Sequence, residues 1–238
     1  MKLYSGPLSL FSRKVEIALD EKGLAFERVM VPFNQIVGYS PKHPDVVAAN
    51  PKAQVPVLVD GDLTLYDSTV ILEYLEDAYP EPPLFPRLAN ERAACRLLDL
   101  FADEVMLVPI RAFMHRTGPR PDDPQKWEAL EAKAREAGAV IERHFAQLET
   151  TLGEKPFLCG DLSAADIAAF MSVLFTQRLG GPPLSRHRAL SAWFDRLSAR
   201  PAFARAWAGI VAADRELSAP VEGAYGGSAP AFTVPAAK

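Results

Sequence analysis

The chain carries only two cysteines, Cys95 and Cys159, in 238 residues, and they form no CxxC pair. That excludes a disulfide framework and a CxxC-type redox centre. Both cysteines read as packed small hydrophobes. The four histidines are scattered without zinc-ligand spacing, so no metal site is expected. No stretch approaches the ~20 apolar residues of a membrane-spanning helix, and no membrane partner is expected. The opening MKLYSGPLSL has one lysine and no long apolar run, so it does not read as a secretory leader. Neither sign of charge dominates: 26 basic residues stand against 30 acidic ones, for a net charge of −4. No basic field is available to draw nucleic acid or anionic lipid. The remainder is an ordinary globular balance, 49% hydrophobic and 24% charged. The expected setting is the reducing cytoplasm. The length suits one or two domains.

The first eighty residues change type repeatedly. Met1–Tyr4 and Phe26–Val31 suit strands, while Phe11 to Lys22 has helical spacing with Phe11, Val15, Ala18 and Leu19 on one face. Gly23 stops that helix. An irregular stretch with Pro32, Gly38, Pro41 and Pro44 comes next. Val55–Val59 and Leu63–Tyr66 flank Asp60-Gly61-Asp62, a hairpin signal. Ser68–Ala78 reads as a helix. Pro80-Glu81-Pro82-Pro83 then breaks the pattern and marks a domain boundary. Beyond it the spacing is helical: Glu91–Met114, kinked at Pro109, then Trp127–Leu152, Ala164–Phe175, Leu190–Ala199 and Phe203–Arg215. The expected domains are 1–80, α/β, and 88–217, all-α. The tail 218–238, rich in Ala, Pro and Gly, reads as irregular, and a partner-binding role is one reading of it.

Four local features carry chemistry. They are Ser9-Leu-Phe-Ser12-Arg13 at a strand-to-helix turn, Asn50-Pro51-Lys-Ala-Gln54-Val55-Pro56, Asp67-Ser68 at a helix start, and Leu162-Ser163-Ala-Ala-Asp166 in the helical half. With these in order, the chain resembles the cytosolic glutathione transferase superfamily over about 1–217. NPKAQVPVLVDGDLTLYDSTVILEYL is similar to the family's glutathione-site segment. LCGDLSAADI is similar to its helical-domain capping box, and LYSGPLSLFSRKVEIAL to its serine-type classes. The resemblance implies a thioredoxin-like N-terminal domain, an all-helical C-terminal domain, glutathione as co-substrate, a hydrophobic electrophile as second substrate, and a homodimer.

It also implies roles for residues. Val55-Pro56 would be a cis pair whose Val55 backbone pairs with the cysteinyl unit of glutathione like an added strand. Gln54 would contact the tripeptide backbone, as an amide that both donates and accepts. Ser68, at a helix N-terminus, would hold the γ-glutamyl carboxylate, with Asp67 on the α-ammonium. A plain helix cap is the competing reading for both. Lys42 would meet the glycyl carboxylate, the alternative being a solvated lysine. Ser9 would activate the thiol, with Ser12 as the rival hydroxyl and Arg13 in support. Lowering a thiol pKa from ~8.5 by ~2 units takes roughly 2.7 kcal/mol. One hydrogen bond to the anion supplies ~1.5–3 kcal/mol, so a single hydroxyl suffices. The absence of cysteine in that turn argues against the thiol-reducing branch. Leu8, Phe11, Phe101, Val105, Arg111, Phe113 and His115 are candidates for the second-substrate pocket, each with a core role as the competing reading. Ser163 and Asp166 read as a structural capping box.

A glutathione transferase that ionises the thiol and conjugates it to electrophiles is the leading expectation. The alternatives are a dehalogenase, ether-cleaving enzyme, isomerase or peroxidase on the same site, or a binding or scaffold protein without turnover.

Overall fold

The computed structural model describes residues 1–227. Expectations for the tail from 228 lie outside the described residues. The N-terminal part runs β1 (Lys2–Ser5), α1 (Leu10–Glu21), β2 (Glu27–Met30), α2 (Pro44–Ala49), β3 (Val57–Asp60), β4 (Leu63–Tyr66) and α3 (Ser68–Ala78). The sheet order is β2-β1-β3-β4, with β1 parallel to β2 and antiparallel to β3. Tyr4 sits opposite Val57, and Val57 opposite Tyr66. This is the thioredoxin-like half.

The helical half runs α4 (Ala89–Leu100), a π-helical stretch (Phe101–Met106), α5 (Leu107–Ile110), a 3₁₀ stretch (Arg111–Thr117), α6 (Pro124–Leu152), α7 (Ala164–Arg178), α8 (Arg188–Ser198) and α9 (Pro201–Leu217). Every residue of α7 is buried, which makes it the spine of the domain. Phe170 stacks on Phe194 and meets Phe203 edge-on. α1 packs against both α7 and α9, so one core runs through both halves.

The expected helix Glu91–Met114 with a kink at Pro109 needs correction. Regular α geometry ends at Leu100, nine residues before the proline, and resumes only briefly at Leu107. The widened turn frees the Ala102 carbonyl to accept the Ser172 hydroxyl from α7 at 2.8 Å. It also turns Asp103 toward a buried lysine on α1. The stretch read as irregular before residue 50 contains α2. Pro44 opens that helix rather than breaking it, because a first-turn residue needs no N–H. Tyr4 donates to Asp45 and ties α2 to the sheet. Pro124 likewise opens α6 three residues before Trp127, under an Asp123 cap. β3 starts at Val57, since Pro56 has no N–H to give the ladder.

The linker at 80–83 is pinned. Lys22, buried at the end of α1, donates to Glu76 at 2.9 Å and to the carbonyls of Tyr79 and Pro82 at 2.8 and 2.9 Å. Glu76 also accepts the Leu84 N–H at 2.9 Å.

The capping box forms. Asp166 Oδ2 accepts the Ser163 N–H and hydroxyl at 3.0 and 2.8 Å, while Oδ1 accepts the Leu158 N–H and the Trp193 indole N–H, both at 2.9 Å. Burial pushes this carboxyl upward against the pull of its four donors. Replacing it with alanine orphans several buried donors at about 1–3 kcal/mol each. Asp166→Ala is therefore expected to cost about 3 kcal/mol or more of folding stability, and Asp166→Asn less. Urea denaturation midpoints measure both, and an unchanged midpoint in the alanine variant would remove the box from the fold's supports.

Candidate functional site

A cleft of about 500 Å³ opens between the 50–56 loop, the start of α3 and the α4–π wall. Asn50 shapes the loop: its side chain donates to the Gln54 carbonyl at 2.7 Å and accepts the Lys52 N–H at 2.9 Å. The Val55–Pro56 peptide is cis. The Val55 N–H and C=O make no hydrogen bond among the described residues, so an extended ligand can pair with them. Asp67 caps α3, with Oδ1 accepting the Thr69 and Val70 N–H groups at 3.0 and 3.4 Å. Its φ of 75° is a conformation non-glycine residues rarely adopt. The second Asp67 oxygen is left for a ligand. Ser68 is buried, its hydroxyl has no partner among the described residues, and it lines the cleft. Gln54, Val55, Pro56, Asp67 and Ser68 thus share one wall. An anion at the α3 N-terminus and a cation beside Asp67 would both be met.

The hydroxyl turn is arranged differently. Ser9 is 8% exposed, and its Oγ accepts the Ser12 N–H at 3.2 Å as the cap of α1. Its own proton has no acceptor among the described residues. Ser12 is fully buried and accepts the Gly6 N–H at 3.2 Å. Arg13 points away from the cleft: its guanidinium donates to Glu16 at 2.6 Å and to the Pro7 carbonyl at 3.1 Å. None of the three lines the cleft. Tyr39 lies against the turn. A Cβ on Gly6 would come within 2.4 Å of its ring, so only glycine admits this contact.

Other candidates separate as well. Phe11 and Arg111 line the cleft. Leu8 and Phe113 are core, and Phe101 packs against the core. Val105 is exposed and lies off the cleft wall. His115 is taken up with Glu131 at 2.7 Å and the Ala112 carbonyl at 2.9 Å. Lys42 is exposed outside the cleft, and the lysine on its wall is Lys52.

The sequence reading missed the charged floor. Lys14 has no solvent exposure. Its ammonium contacts Asp99 at 2.5 Å, Asp103 at 2.7 Å and the Thr69 hydroxyl at 3.1 Å. Thr69 donates in turn to Asp99 at 2.8 Å. Burial alone would discharge Lys14, but the two carboxylates outweigh it and hold its pKa above the ordinary value. Burial, with Asp99 adding to it, lifts Asp103 from 3.8 to about 6, and Lys14 offsets only part of the rise. Asp99, Asp103 and Thr69 line the cleft, as do Glu73, Arg96 and Glu104. Arg96 and Glu73 form a two-pronged pair at 2.6 and 2.7 Å. The one available signal was two aspartates four apart on a helix facing the first domain.

Residues 3–83 match the glutathione S-transferase N-terminal domain family, and residues 101–201 match its C-terminal domain family. Protein LigF of Sphingobium sp. is 31% identical over 85% of this chain and 91% of its own. This chain belongs to the glutathione transferase superfamily. The crystal structure of that relative, named as the beta-etherase LigF, superposes with a TM-score of 0.69 over 87% of this chain and 98% of its own. FtsZ-localized protein A of Caulobacter vibrioides is 28% identical over 89% of this chain and 94% of its own. A stringent starvation protein A homolog of Coxiella burnetii is 45% identical, but the match spans only 41% of this transferase-fold chain and 44% of the relative. Among the described residues no cluster of metal-ligating side chains occurs, and no helix is long and apolar enough to cross a membrane.

The Asp103 shift has a pH consequence. A carboxyl whose pKa rises on folding adds stability that is full below its unfolded value of 3.8 and is lost as pH rises through about 6. Across that window the protein is expected to lose about 2–3 kcal/mol from this group. Asp103→Asn should flatten the loss. Chemical denaturation at a series of pH values tests it, and an identical slope in both proteins would contradict the assignment.

Proposed function

We propose that this chain is a glutathione-binding protein of the transferase fold whose cleft holds the tripeptide as a ligand, and that it acts as a binding module rather than as a conjugating enzyme. One observation carries the reading. The cleft keeps a wall for an extended peptide whose γ-glutamyl end carries both a carboxylate and an ammonium, while of the groups expected to ionise a thiol Ser12 and Arg13 are committed elsewhere and Ser9 lies off the cleft wall. Ser12 is buried, Arg13 is closed by Glu16 and Pro7, and the Ser9 oxygen serves a backbone N–H. A relative of nearly full-length coverage is named for its localisation with FtsZ rather than for a reaction, which supports a binding role.

A second reading rests on a different detail. The Ser9 oxygen accepts one bond but has its own proton to give, and a hydroxyl proton can stabilise a thiolate. In that case the bound thiolate would attack the carbon bearing an aryl-ether oxygen, forming a thioether and releasing a phenolate. The relative named as a beta-etherase supports this reading.

Calorimetry and thiol titration separate the two. Glutathione is expected to bind wild-type protein. Ser68→Ala should weaken binding by about 1.5–3 kcal/mol, the value of a bond to a charged group. Ser9→Ala should leave affinity within a few-fold. Under the binding reading the bound thiol titrates near its free value of ~8.5. A fall of about 2 units that Ser9→Ala abolishes would establish the enzymatic reading instead. No uptake at millimolar glutathione would sink both.

A homodimer belongs to the same proposal. Leu97 and Leu100 on α4 and Val70 on α3 are 67%, 53% and 50% exposed, a large apolar exposure for a free surface. A second copy of the chain is the proposed cover. Sedimentation should give a dimer, and Leu97→Asp should shift it toward monomer. A monomeric wild-type protein would refute this part.

A further inference from the structure

Between β2 and α2 the chain crosses from the thioredoxin-like half toward the helical half. Pairing with β1 ends where the Val31 N–H donates to the Ser5 carbonyl at 2.8 Å, and α2 opens at Pro44. The stretch between them folds on itself. Asn34 and Gly38 exchange both backbone hydrogen bonds, at 2.8 and 2.7 Å, and the Asn34 side chain accepts the Ile36 N–H at 2.8 Å. Phe33 and Tyr39 meet edge to face at 4.9 Å across the neck of this turn. Ile36 and Val37 at its tip are exposed. Gln35 ties it to the helical half: its amide donates to the Ser218 hydroxyl, just past α9, at 2.8 Å, and its carbonyl oxygen lies 3.5 Å from the Thr117 hydroxyl.

The inner side of the turn rests on the residues that carry Ser9. A Cβ added to Gly6 would stand 2.4 Å from the Tyr39 ring and 2.6 Å from its hydroxyl oxygen, so ring and glycine are in direct contact. Gly6 is bonded into the hydroxyl turn on both sides. Its N–H donates to the Ser12 Oγ at 3.2 Å, and its carbonyl accepts the Ser9 N–H at 3.1 Å. The Tyr39 hydroxyl is buried against it, and its proton has no acceptor among the described residues. A buried hydroxyl left unpaired is a standing cost of this position, relieved when the ring moves into water. On the other side of the turn, a recess of about 410 Å³ separates residues 33–36 from Thr117 and from the residues that follow α9. The turn thus has a contact that holds it, a penalty that loosens it and space to move into.

We propose that residues 32–40 form a strap over the Ser9 turn, with Tyr39 as its latch. Closed, the strap leaves the cleft able to hold glutathione but keeps Ser9 from the sulfur; lifted, it admits the sulfur to the Ser9 hydroxyl. The inference rests on the reading that glutathione occupies the wall of residues 54–56 and 67–68. In the closed position Ser9 is 8% exposed and lies off the cleft wall, although its hydroxyl proton has no acceptor among the described residues. Release of Tyr39 uncovers the Gly6 side of that turn. The proton that Ser9 does not spend within the protein then becomes available to a thiolate. No covalent bond changes in the protein: the self-bonded turn swings as a unit about its two ends, beside Pro32 and Ser40. The same residues therefore hold the tripeptide inertly in one position and ionise it in the other.

The test uses the full-length protein with glutathione, calorimetry for affinity and thiolate absorbance for the bound thiol. Two variants open the latch from opposite sides: Tyr39→Ala removes the ring, and Gly6→Ala pushes it away. The φ of Gly6 is not left-handed, so alanine strains only the Tyr39 contact. Wild-type protein and Tyr39→Phe, which keeps the ring, are expected to hold a thiol near its free value of ~8.5. Tyr39→Ala and Gly6→Ala should each lower that pKa by about 1 or more, roughly a tenfold gain in thiolate well below it, with affinity within a few-fold. Ser9→Ala added to either should restore the free value. A thiol unshifted in both opened variants, a wild-type thiol already lowered, or a shift that survives loss of Ser9 would each overturn the proposal. Access to position 9 is also read without glutathione. The thiol of Ser9→Cys, located by peptide mass, should react with N-ethylmaleimide about tenfold faster or more once Tyr39→Ala is added, because modification follows local opening. Equal rates would overturn the strap. No glutathione uptake by the wild-type protein, with the rate difference intact, would remove the glutathione reading and leave the strap standing.

Discussion

A single ammonium group underlies the joint between the two halves. Lys14 has no access to water, so its charge must be met inside the protein, and Asp99 and Asp103 meet it. Breaking such a group away from its partners strands a charge in a poorly polarisable interior, at several kcal/mol. The thioredoxin-like half therefore cannot slide along the helical half without a penalty far larger than any one apolar contact imposes. Lys22 repeats the device at the other end of α1, where Glu76 and two carbonyls hold the linker.

The same ammonium organises the cleft. Thr69 hydrogen-bonds to both Lys14 and Asp99, and it is the residue next to Ser68. The α3 N-terminus, where a carboxylate would dock, is thereby fixed to the helix that forms the opposite wall. Recognition at Ser68 and domain docking at Lys14 are thus parts of one hydrogen-bonded chain. Because that chain contains two acids and one base, the floor of the cleft retains a titratable carboxyl close to where a ligand would lie.

Much of this was legible in the sequence. The β-turn-β signal at Asp60-Gly61-Asp62, the helix from Ser68 and the Ser163–Asp166 box are local patterns, and each arises from local chemistry. The features that escaped were non-local. Lys14 and Glu16 fall between the apolar positions of α1 and carry no local signal, and Arg13 reads as a support for the thiol, yet α1 is enclosed by the sheet, α7 and α9, so all three are buried. Nothing within one helix reveals that its polar side will be covered by a segment 150 or more residues away. The hydroxyls of the 9–12 turn were readable as residues but not as orientations, because capping and thiol contact call for the same serine at the same helix end. Pro44 reads as irregular for a related reason: proline ends a helix or begins one according to which side the chain arrives from.

The widened turn at Phe101–Met106 also sets the rotational phase of the chain from Leu107 onward. A straight α-helix advances roughly 100° per residue, and a π turn inserts an additional step. Arg111 reaches the cleft, while Ile110 and Phe113 reach the core, only because that step has been taken. Chains with and without the extra residue would show different side chains to the same ligand from near-identical sequences. A single-codon deletion in this stretch would thus act less like the loss of a contact than like turning a key by a quarter in its lock.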